Sequence, residues 1–105
     1  MADQSEPFNP NDPFDAATEA LRERICHVII DFIEKDEAFA KLDDHQRIQS
    51  LISAIGTALC CASLCEMQDT PRNEQIVRLV VADAFPLWMN QARGIAANGE
   101  VVTIQ

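Results

Sequence analysis

The chain has 105 residues, with 17 acidic side chains against 8 basic ones and a formal charge of −9. That length fits one domain able to build its own core, and 48% hydrophobic with 24% charged residues is globular composition rather than disorder. Three glycines, two histidines and no tyrosine leave little material for a phosphate loop or an acid–base centre.

The first residues, Met1 to Pro7, carry neither a basic region nor an apolar run, so they do not read as a secretory signal. The longest apolar stretch, Ile76 to Met89, is broken by Arg78, Asp83 and Pro86. It falls short of the roughly 18 apolar residues a membrane helix needs. The expectation is a soluble, cytoplasmic chain without a membrane partner, in which the four cysteines are reduced thiols rather than two disulfides. The charge is uneven: residues 1–44 hold twelve carboxylates and four bases, whereas residues 45–105 hold five and four. Direct nucleic-acid binding would need the opposite sign.

Residues 1–11 read as a flexible acidic arm. Asp12 is placed to cap a first helix, with Pro13 at its first position and Asp15 completing an approximate capping box. Phe14, Ala17, Leu21, Ile25, Val28 and Phe32 then recur at helical spacing, which predicts an inward stripe on a helix reaching about Lys35. Asp36 opens a short piece carrying Phe39 and Leu42. Asp43 and Gln46 form the reciprocal pair of a capping box for a second long helix, striped by Ile48, Leu51, Ile52, Ile55, Leu59 and Ala62. From Ala58 to Met67 nearly every residue is apolar or small, which predicts burial on most sides.

Thr70 and Pro71 start a third long helix, whose inward residues are expected to be Ile76, Leu79, Val80, Ala84 and Leu87. Pro86 removes a backbone hydrogen bond and should kink or break it. Asn98-Gly99 should end it, leaving a tail over 100–105. The fold class is therefore all-α: a small bundle of three main helices within a single domain, residues 12–99. Ile29, Ile30 and Ile33 on the first helix and Val77, Val81 and Phe85 on the third widen the apolar faces beyond what three helices hide. A homodimer would cover them.

Chemistry-bearing patterns are sparse. Cys61 and Cys65 lie one turn apart, and Cys26 or His27 could join them around a soft metal, but no Cys-x-x-Cys pair occurs. Ala54, Ala58, Cys61 and Cys65 share a strip that close helix packing explains as well. His27 stands four residues from both Glu23 and Asp31, without the repeated Glu-x-x-His of carboxylate-bundle metal sites. No nucleophile has a sequence-evident base, and no phosphate-loop or metalloprotease motif is present. No catalytic residue, cofactor or metal is assigned, and an enzyme is not expected.

Two surfaces remain as candidates. Asp15, Glu19, Glu23, Asp31 and Glu34 project opposite the first helix's apolar stripe and could meet a basic partner, for instance a nucleic-acid-binding protein. Phe85, Leu87, Trp88 and Met89 cluster around the chain's one tryptophan and suit a self-interface. The sequence thus reads as a non-enzymatic protein–protein interaction module, a small acidic regulator, inhibitor or adaptor that forms a homodimer. A homo-oligomeric assembly subunit and a cysteine-based metal or redox sensor are the alternatives.

Overall fold

The computed structural model describes residues 8–98. The acidic arm up to Pro7, the stop at Gly99 and the tail over 100–105 lie outside the described residues. The fold is all-α, with helices α1 (Pro13–Lys35), α2 (Glu37–Ala40), α3 (Asp44–Glu66) and α4 (Pro71–Ala97). Contacts divide the chain into two units: Glu37–Asn90, and the segment through Asp36 together with the segment from Gln91.

Local chemistry sets the helix starts. At α3 the capping box forms as its residues predict: the Gln46 amide donates to Asp43 Oδ1 at 2.8 Å, and the Asp43 amide donates to Gln46 Oε1 at 3.2 Å. At α4 the Thr70 hydroxyl accepts from the Asn73 amide at 3.1 Å, and Pro71 needs no such partner. The Asn73 side chain also donates to the Gln68 carbonyl, closing the turn between α3 and α4.

α1 departs from its predicted start. Asp12 occupies the cap position but its side chain makes no cap bond. The Asp15 carboxylate instead accepts from the Asn9 amide at 3.0 Å, and the Asp12 amide donates to the Asn9 carbonyl, so residues 9–12 fold into a turn ahead of Pro13. A carboxylate in the first helical turn is also favourably placed against the helix dipole.

α4 continues as one helix through Pro86. A proline there deletes one backbone hydrogen bond without ending the helix.

Within the unit Glu37–Asn90, α3 and α4 run side by side in opposite directions, lining an open groove of about 510 Å³ from Gly56 and Met67 on one helix to Asn73 and Val81 on the other. The inward face of α4 is Asn73, Val77, Val81, Ala84 and Leu87. This corrects the sequence expectation: Ile76, Leu79 and Val80 are exposed, while the flanking valines turn inward. Adjacent aliphatic pairs allow either rotation of the helix, and Val77, smaller than Ile76, permits closer approach of α3. The core is small, with only Phe39 (4% exposed) and Ala84 (9%) buried among the described residues.

Candidate functional site

The acidic face of α1 is partly consumed by local pairing. Asp15 and Glu19 are half-buried, and Asp15 is occupied by the Asn9 amide. Glu19 pairs with Arg22 through both guanidinium arms, so the arginine's hydrogen bonds hold the carboxyl below the usual glutamate range. Asp31 pairs with Lys35, whose ammonium is held above its usual range by that hydrogen bond. Glu23 and Glu34 are exposed and carry no ion pair among the described residues. Of the five carboxylates, these two are not held in an ion pair, although Glu34 adds to the field at Lys35.

The rotation of α1 also differs from expectation. Its half-buried line runs through Cys26, Ile29 and Ile33, whereas Phe14, Leu21, Ile25, Val28 and Phe32 are exposed. The inward stripe expected from periodicity is therefore an outward one. Arg22 lies along the half-buried line and directs a guanidinium N–H towards Cys26 Sγ at 3.9 Å, within the sulfur hydrogen-bond range.

In the cluster expected at a self-interface, Phe85, Trp88 and Met89 are exposed and Leu87 is half-buried. Trp88, at 42% exposure, does not fill a core.

The largest unforeseen surface belongs to α3. None of its 23 residues is buried. The run from Ala58 to Met67 is exposed except for half-buried Ser63 and Met67, which corrects the burial expected there. Beside the groove, whose lining includes Leu59, the residues Ile48, Ile52, Ile55 and Leu59 follow at steps of four, three and four, all exposed. That is the spacing of a coiled-coil seam. Residues 48–65 contain no charged side chain, and α3 is long and apolar enough to cross a membrane by length and composition, with a mean hydropathy of 1.7 in its best window. Serines and a threonine interrupt its apolar run, so by apolar continuity alone Ile76 to Met89 stands out instead.

Cys60, Cys61 and Cys65 are exposed, Cys26 is half-buried, and none is bonded to another cysteine. Among the described residues, no group of three His, Cys, Asp or Glu side chains is arranged to hold a metal ion. His27 is exposed on the flank of α1 beside Glu23. The arrangement as a whole is that of a small all-helical domain without a catalytic-looking cluster. Comparison with protein-family models, characterised proteins and solved structures gave no match to this chain.

Proposed function

We propose that the chain is a non-enzymatic interaction module whose principal partner is another copy of itself, a helical assembly subunit. The carrying observation is the uncovered apolar flank of α3 at Ile48, Ile52, Ile55 and Leu59. An exposed seam of this kind on a small domain marks an interaction surface. Fully burying one such side chain contributes about 1.5–3 kcal/mol. Covering the half that remains exposed on eight of them, four per copy, yields roughly 6–12 kcal/mol gross. Association costs about 4–15 kcal/mol, so α3 suffices only if neighbouring surface joins it. The reading keeps the cysteines as reduced thiols in a cytoplasmic setting.

The test is mass by light scattering at low salt and at roughly 1 M salt, where the screening length shrinks to about 3 Å. An oligomer of unchanged mass supports the reading. A monomer at both salts removes it.

A second reading, a regulator whose acidic α1 face meets a basic protein, is favoured by the exposed Glu23 and Glu34. It requires capture of a basic partner that weakens as salt rises and is lost in Glu23→Lys/Glu34→Lys. Capture that survives the double reversal refutes it.

A further inference from the structure

We infer that two copies pair through α3 in an antiparallel, two-fold arrangement, hairpin on hairpin, to make a four-helix bundle. The inference rests on the self-association reading and adds the surface, the direction and the register.

The seam on α3 is self-complementary. Turned end for end about a point between residues 53 and 54, Ile48 of one copy meets Leu59 of the other, and Ile52 meets Ile55. A parallel pairing would instead set Glu66 against Glu66 and align the two helix dipoles, which repel side by side. A two-fold contact of this type uses the same patch on both copies, as closed dimers do.

The hairpin supplies the rest of the surface. The groove, whose lining takes in Leu59, fixes which flanks of α3 and α4 face it, and a rotation of 100° per residue then places Ile76 and Val80 on the same side as Ile48, Ile52 and Ile55, outside that lining. Both are exposed. Six half-exposed aliphatics per copy leave on the order of 50 Å² each to cover, or about 600 Å² in a dimer. The apolar share of a small standard interface of about 1,200 Å² is close to that. Asp83 follows Val80 on α4 and marks the rim.

A lipid surface is the competing occupant of an uncharged helix. It is disfavoured because α3 shares its hairpin with Arg72, Glu74 and Arg78 of α4, which would be carried to the same depth. The net charge of −9 also repels anionic lipid.

The experiment keeps Cys65 as the sole cysteine, with Cys26, Cys60 and Cys61 replaced by alanine, and attaches a nitroxide to it. The antiparallel register separates the two labels by 23 residues along the axis, about 35 Å. Pulsed dipolar spectroscopy is expected to find that separation or more. Ile52→Asp is expected to weaken the dimer roughly 100-fold or more, since the carboxylate would be buried unpaired in the seam. Helical circular dichroism should be unchanged, because Ile52 is 67% exposed in the single chain. A dimer with labels about 10–15 Å apart, the spacing of adjacent parallel helices, overturns the register while self-association stands. A labelled protein that is monomeric and gives no dipolar signal overturns both. Flotation of the monomer with phosphatidylcholine vesicles gives the seam to lipid and likewise overturns the inference.

Discussion

The guanidinium of Arg47 lies over the Phe39 ring, 5.6 Å from its centroid, and donates to the Ala40 carbonyl at 2.9 Å. Together these contacts fasten the short α2 to the first turn of α3. Phe39 is the most buried residue described, so α2 acts as a plug at that end of the hairpin.

Phe39→Ala is therefore expected to cost about 3–5 kcal/mol, the range for truncating a buried phenylalanine. Arg47→Lys keeps the charge but loses the planar stack, and about 1 kcal/mol is expected for it. Urea unfolding of both variants checks the order: a Phe39→Ala loss below that of Arg47→Lys would mean that the plug carries no core.

The two N-terminal aspartates should behave differently. Asp43 closes a complete capping box, and Asp43→Ala is expected to lower stability by about 1 kcal/mol. Asp12 makes no cap bond, so Asp12→Ala should be near neutral, within about 0.5 kcal/mol. Equal losses in thermal unfolding would contradict the assignment of the caps.

Glu19 provides a titration test. Hydrogen bonding to Arg22 lowers its folded-state pKa below the ordinary value of 4.5. A depressed carboxyl contributes stability that is present above the unfolded value and lost as pH falls through the folded one. The contribution should thus fade below about pH 4.5, and solvent screening keeps it small at this half-exposed pair. Carbon-detected NMR titration should show Glu19 protonating below the ordinary glutamate range, and Arg22→Gln should return it there. A Glu19 that titrates normally in the wild-type chain would show the pair to be absent in solution.

Gly56 sits in mid-helix, and a methyl added there meets nothing within 4 Å. Gly56→Ala is expected to raise stability by about 1 kcal/mol through helix propensity alone. Because the added methyl meets open space, the variant should keep the wild-type oligomeric state. A loss of stability or of assembly would show that another element presses closely on this position.

How much of this was legible depends on the range of the interaction. Asp43 with Gln46, and Thr70 with Pro71, announce helix starts through neighbours three residues away, and those starts are where the sequence puts them. The rotation of each helix is a longer-range matter. Ile76 and Val77, or Val80 and Val81, sit side by side, so periodicity permits two inward faces, and the fit against α3 selects one. On α1 the apolar stripe is real but faces outward, because periodicity fixes that a helix has an apolar side and not what that side meets. Asp15 and Glu19 were legible as acidic and not as engaged, since their partners Asn9 and Arg22 are chosen by rotamer and turn geometry.

The central claim is that a second copy covers the seam of α3. Sedimentation equilibrium of the wild-type chain beside Ile52→Asp, over a wide concentration range at moderate salt, tests it most directly. The account expects a wild-type species of twice the chain mass and a monomeric Ile52→Asp of unchanged helicity. A wild-type chain that stays monomeric across the range, or an Ile52→Asp variant that assembles as the wild type does, would contradict it.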